Sequence, residues 1–301
     1  MDRIRDRYCR TKHSQKLRIY IAVTRLRIGR NRSAGLQRPP AAILAIAAIA
    51  IAFFALPFIG LLWRVPWGDA WSLLTTPSSL TALRLSIETS LWATALSIVF
   101  GVPLAWVLAR YGFPGRRIVR ALCLLSLVLP PVVGGVALFA AYGRRGLLGD
   151  SLFDWFGMRL PFSTAGVVLA QTFIAMPFLV LTVEAALRGL DRRTEDAART
   201  LGASRWYAFR RVTLPAIRPA LIAGAVMAWA RALGEFGATI TFAGNFPGRT
   251  QTMPLSVYLA LESNPGQALV LSVVMIAISF GVLLSLRDQW LGGSSTSGGS
   301  R

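Results

Sequence analysis

From Ala41 to Trp63 the chain runs 23 residues without a charge, and five further stretches repeat that character. At about 1.5 Å per helical residue, a run of that length crosses a hydrocarbon core of roughly 30 Å. In such a solvent every backbone N–H and C=O must be satisfied within the segment, which leaves helices as the spanning form. The further runs are Leu85–Ala109, broken only by Glu88, then Ala121–Tyr142, Leu160–Val183, Pro219–Gly244 with Arg231 and Glu235 inside, and Gln267–Leu286. Composition agrees: the 301 residues are 54% hydrophobic, and their mean hydropathy is +0.54. The expectation is an all-α integral membrane protein with six transmembrane helices, occupying residues 41–287.

The third run carries Pro130, Pro131, Gly134 and Gly135 near its middle. A broken helix at membrane depth is tolerated only where protein or a wet cavity satisfies the freed backbone groups. That segment is expected to face protein or a pore, and Pro57 is a candidate bend in the first.

The net charge of +20 could signal nucleic-acid binding. The basic residues, however, cluster beside apolar runs rather than along one phosphate-tracking face, which fits membrane orientation. Residues 1–40 hold 12 Lys or Arg, 110–120 hold 4, and 188–218 hold 8. The intervening loops hold only Arg64, Arg144, Arg145, Arg159 and Arg249. The positive-inside rule places the first set, and with it both termini, in the cytoplasm of a plasma-membrane protein. Residues 1–40 read as a basic, mostly disordered arm and 288–301 as a flexible polar tail.

Several chemistries are excluded. Cys9 and Cys123 form no disulfide framework, and with His13 they offer no metal-ligand spacing. The two lysines, Lys12 and Lys16, follow no Gly-rich loop, so no phosphate cradle of the Walker A kind is available. No catalytic residue, metal or cofactor is expected.

The longest basic loop contains EDAARTLGASRWYAFRRVTLP, residues 195–215. Asp191 can cap a short helix carrying Glu195 and Asp196 in its early turns, with Ala197, Ala198 and Leu201 as its apolar face. Gly202 supplies a left-handed end. Ser204 can cap a second helix bearing Trp206, Phe209 and Val212, which Leu214-Pro215 is expected to stop. Two helices this short need a partner surface: a docking protein, or the bundle ends and headgroups.

The order Asp196-Ala197-Ala198, then Gly202, then Val212-Thr213-Leu214-Pro215 resembles the "EAA" loop of permease subunits of ABC importers. That pattern reads Glu-Ala-Ala, three residues, Gly, nine residues, Ile, one residue, Leu-Pro. Asp and Val here replace Glu and Ile. The resemblance implies a type I importer permease whose cytoplasmic coupling helix pair, between helices 4 and 5, docks on a separate ABC ATPase. Asp196, Ala197, Ala198, Gly202, Trp206, Val212, Leu214 and Pro215 are the coupling residues it implies. It also implies an extracytoplasmic binding protein and two permease chains, a homodimer here. Residues 230–263, ARALGEFGATITFAGNFPGRTQTMPLSVYLALES, are similar to molybdate permeases. Sulfate permeases resemble the GEFGA part and less beyond it. The function implied is ATP-driven import of an oxyanion, molybdate before sulfate, thiosulfate or tungstate. The rival class is a stand-alone anion channel or secondary transporter.

Arg231, Gly234, Glu235, Phe236, Gly237 and Thr239 are the pore or gate candidates. Charges at membrane depth default to a functional path, although Arg231 and Glu235, one turn apart, can equally neutralise one another. Gly234 and Gly237 permit close helix approach, around a plug at Phe236 or in a plain packing seam. Thr239 and Thr241 can bond an oxyanion or their own backbone. Arg84 and Glu88 read as a structural pair. The segment Asn245–Ser263 is either a docking or gate element or interfacial packing.

Overall fold

The computed structural model describes residues 40–291, so the basic arm before Pro40 and the tail beyond Leu291 lie outside the described residues. No strand occurs among them. Five helices are long and apolar enough to span a membrane.

Helix α1, Ala41–Arg64, is apolar around its whole circumference and has no buried residue, the surface that a lipid-facing helix presents. After the short α2, Ala70–Leu74, helix α3 runs from Pro77 to Arg110. It begins well before the expected Leu85 because Thr76 caps it, accepting from the Ser79 N–H, with Pro77 in its first turn.

The third expected span is two helices, α4 Arg116–Val128 and α5 Pro131–Tyr142. Leu129 is extended, as a residue before proline must be, and neither piece alone has spanning length. The expected break is therefore present. The buried face of α5 is Gly134, Gly135 and Leu138.

Helix α6, Gly149–Phe156, precedes α7, Thr164–Gly189, which Ser163 caps through the Gly166 N–H. Ala170, Ala175, Leu179, Val183 and Leu187 of α7 are fully buried. This is the central helix: Leu179, Val180, Val183 and Leu187 form one core with Val102, Ala105 and Leu108 of α3 and with Ile217, Ala228 and Ala232 of a later helix, Leu214–Leu233. Between helices that span a lipid bilayer, such a core holds by close packing rather than by escape from water.

Helix α8, Arg192–Thr200, and α9, Arg205–Ala208, lead into a π-helical turn, Phe209–Thr213, and then α10, Leu214–Leu233. The expected stop at Leu214-Pro215 does not occur; helix is continuous from Arg205 to Leu233. The π turn supplies the reason. Leu214 N–H donates to Phe209 O, five residues back. The widened turn accommodates Pro215, which lacks a donor and would crowd the carbonyl four residues earlier in a regular helix.

The fifth expected span, Pro219–Gly244, is also corrected: α10 ends at Leu233, and α11, Gly237–Phe242, follows a break at Gly234-Glu235-Phe236. Helices α12, Met253–Ser263, and α13, Pro265–Leu291, complete the order. Met253 of α12 and Leu271 of α13 close a smaller core with Ala82 of α3. The expected Gln267–Leu286 span lies within α13.

Candidate functional site

The two candidate regions lie at opposite ends of α10. At its N-terminal end, Asp191 Oδ1 accepts from the Arg193 N–H at 3.0 Å and Ser204 Oγ from the Tyr207 N–H at 3.2 Å, so both expected caps form. Gly202 has φ +89°. Its N–H donates to Arg199 O at 3.0 Å and that of Ala203 to Ala198 O at 3.1 Å. This double closure is the Schellman end that only glycine enters without strain.

The consequence is a sharp knuckle that pushes apolar surface outward. Leu201 is 89% exposed and Trp206 67% exposed. Asp196, Ala197 and Pro215 are exposed, Ala198, Val212 and Leu214 half-buried. Trp206 stacks on Phe209 at 5.7 Å, and Phe209 tilts onto Trp106 of α3 at 5.0 Å.

At the other end of α10 the pore candidates surround the helix break. Arg231 Nη1 lies 2.7 Å from Glu235 Oε2. Glu235 Oε1 also accepts from the Ala238 N–H at 2.8 Å, so this carboxylate both neutralises Arg231 and caps α11. Its side chain is 1% exposed and that of Arg231 29%. Arg231 and Glu235 are thus paired, at a point where the span is interrupted. Phe236 packs on Tyr258 of α12 at 5.3 Å, which ties the segment Asn245–Ser263 to the break.

The two glycines differ. A Cβ on Gly237 would come within 2.7 Å of Pro131 Cβ, so close approach to α5 requires glycine there. Gly234 is exposed and faces only the Ala230 carbonyl of its own helix. Thr241 Oγ1 donates to Gly237 O at 2.8 Å, the backbone-bonding alternative. Thr239 is fully buried and its hydroxyl has no partner. Gln171 of α7 is likewise buried with neither amide atom paired.

Sequence reasoning missed three groups. Glu184 of α7 is paired with Arg120 of α4 and, at 2.8 Å, with Arg188. Glu195 binds Arg110 at 2.8 Å and Thr213 at 3.0 Å. Gln171 is the third. The partners of the two acids include residues 64 and 85 positions away, so only the Glu184–Arg188 spacing of one turn could have been read locally. Arg84 and Glu88 pair at 2.6 Å with exposed side chains, the structural pair expected.

Five of the described helices are long and apolar enough to cross a membrane, and the short α8 precedes the fourth of them, which α9 opens. The chain belongs to the family of binding-protein-dependent transport system inner membrane components, whose model matches residues 97–293. It is 47% identical over 240 residues to the molybdenum transport system permease protein ModB of Mycobacterium tuberculosis, covering 80% of this chain and 90% of the relative. To ModB of Escherichia coli it is 43% identical over 210 residues, 70% and 92% of the two chains. The fold is similar to that of a bacterial ABC transporter involved in import of the acidic polysaccharide alginate, with TM-score 0.64 at 18% identity over 84% of this chain and 95% of that one.

Proposed function

We propose that the chain is the transmembrane permease of an ATP-driven oxyanion importer, with molybdate as its anion and sulfate, thiosulfate or tungstate as alternatives within the family. The observation that carries the reading is the exposed apolar knuckle at Leu201 and Trp206, which immediately follows Asp196-Ala197-Ala198 and is set by the Gly202 turn. Apolar side chains so exposed on helices this short need a partner surface. A cytoplasmic ABC ATPase is that partner. The choice of molybdate rests on the names of the relatives.

Six crossings are counted by taking α4–α5 and α10–α11 as one each beside α1, α3, α7 and α13, with both termini cytoplasmic. Residues 41–287 are the permease domain between a basic arm and a polar tail. Two copies form the pathway, and an extracytoplasmic binding protein delivers the anion. Closure of the ATPase dimer draws the two knuckles together and rocks the bundles from inward-open to outward-open; reopening releases the anion inside. The residues around the α10–α11 break, Arg231, Gly234, Glu235, Phe236, Gly237 and Thr239, line or gate that path. Passage requires weak, transient contacts, so selectivity resides mainly in the binding protein.

The test is ATPase activity of the reconstituted complex with binding protein loaded with molybdate, tungstate or sulfate. Stimulation by the molybdate-loaded form above the others is expected. Anion uptake into proteoliposomes without ATP or partners would instead establish a channel or secondary transporter.

A further inference from the structure

Between the knuckle and the bundle the contacts are few and specific. Helix α8 does not lie flush on the membrane helices: a cavity of about 190 Å³ separates them, lined by Trp106, Arg110, Glu195, Arg205, Phe209 and Thr213. Across it, one carboxylate oxygen joins three elements. Glu195 Oε1, in the first turn of α8, accepts from Arg110 Nη2 at 2.8 Å and from Thr213 Oγ1 at 3.0 Å. Arg110 is the last residue of α3 and Thr213 the last of the π turn that opens into α10.

The side chains of Arg110 and Glu195 are 8% and 19% exposed, and Thr213 is 1% exposed. A charge-assisted bond this sheltered from water is short and strong. Arg192 Nη2 reaches Ala109 O at 3.5 Å, a longer contact. The helix itself continues from α9 through the π turn into α10, and the aromatic series Trp206–Phe209–Trp106 adds an apolar contact. Glu195 is therefore a directional side-chain tie from α8 to both α3 and the π turn. Its sequence neighbour Asp196 is exposed and also borders this cavity, with no ion pair to the bundle among the described residues.

We propose that Glu195 is a positioning residue that transmits displacement of α8 to α3 and α10 together, so that docking and bundle movement remain coupled. The proposal rests on the ATPase-docking reading. It assigns adjacent acids to separate jobs: Asp196 to the partner-facing surface, Glu195 to the inward-facing joint. The π turn suits this use. Pro215 leaves its wide turn without one backbone bond, and such turns bend more readily than a regular helix.

The experiment uses the complete complex of permease, ATPase and binding protein in proteoliposomes, measuring molybdate imported per ATP hydrolysed. Co-purification of ATPase with the unaltered permease reports the docking reading by itself. Glu195→Gln should keep the ATPase at the unaltered stoichiometry and lower anions imported per ATP on the order of tenfold, as loss of about one charge-assisted bond would. The exchange Glu195→Arg with Arg110→Glu should restore most of that ratio. Thr213→Val, which leaves the ion pair intact, should give a smaller drop and carries the test if Glu195→Gln fails to accumulate. An unchanged import-to-ATP ratio in Glu195→Gln and Thr213→Val would overturn the proposal. So would loss of ATPase binding from Glu195→Gln in a permease of normal yield, because Glu195 would then belong to the docking surface itself.

Discussion

The pair at the α10–α11 break can be taken apart asymmetrically, and the asymmetry is calculable. Removing Arg231 strands a carboxylate that is 1% exposed, with the Ala238 N–H at 2.8 Å as its remaining hydrogen-bond donor. Breaking a buried pair in that sense costs about 3–5 kcal/mol. Removing the charge of Glu235 instead leaves a guanidinium that is 29% exposed and so less sequestered than the carboxylate. Glu235→Gln also retains an oxygen for the Ala238 N–H, so its cost should be about 1–2 kcal/mol. At roughly 2–4 °C per kcal/mol for a domain of this size, Arg231→Met should lower the thermal midpoint about 6–20 °C and Glu235→Gln about 2–8 °C. The double variant Arg231→Met with Glu235→Gln should recover much of the loss, because no unpaired charge then remains. The assay is thermal unfolding of the purified permease in nanodiscs. Equal midpoints for the two single variants, or additive losses in the double, would refute the claim that Glu235 is the sequestered partner. Molybdate uptake by the double variant then separates a lock from a pore contact, since a lock alone tolerates neutral replacement.

Gly135→Val should lower membrane yield sharply. Any Cβ there overlaps Thr241 Oγ1 and lies within 2.9 Å of the Ala238 carbonyl, and overpacking of this kind costs about 1–3 kcal/mol or more; a normal yield would mean that α5 and α11 are not pressed together. Glu184→Ala should destabilise the purified permease by about 1–2 kcal/mol, because Arg120 and Arg188 lose their shared carboxylate but are themselves 28% and 45% exposed. Thermal unfolding checks this, and an unchanged midpoint would mean that the triad does not bear on stability. Gly202→Ala should cost about 1–2 kcal/mol through its φ of +89° and reduce ATPase co-purification by misdirecting the knuckle; unchanged recovery would show that the left-handed turn is dispensable.

How much was readable in sequence follows from the range of each interaction. Helices α1, α3, α7 and α13 were visible because freedom from charge over twenty residues is a property of each segment by itself. The caps at Asp191 and Ser204 and the left-handed Gly202 were visible because their partners lie within three or four residues. The break at Leu129-Pro130 was visible because proline fixes its own backbone and that of its predecessor. The break at Gly234-Glu235-Phe236 was not, since an apolar average over Pro219–Gly244 does not register that a glutamate has turned to cap the next helix. The π turn was hidden for a related reason: Leu214-Pro215 reads as a stop unless the preceding turn widens. Glu195 looked like an ordinary first-turn acid, because its partner Arg110 comes from another helix 85 residues away. Glu184 was hidden in the same way behind Arg120.

The central claim, that the knuckle between α8 and α9 receives the force of another subunit's ATP hydrolysis, is tested most directly by Leu201→Glu together with Trp206→Glu. Both side chains are mostly exposed, and surface changes of this kind alter stability by only about 0.5 kcal/mol each. Pull-down of the ATPase by tagged permease from membranes should fall to background in the double variant while permease yield stays normal. Recovery of the ATPase at the unaltered ratio would contradict the account.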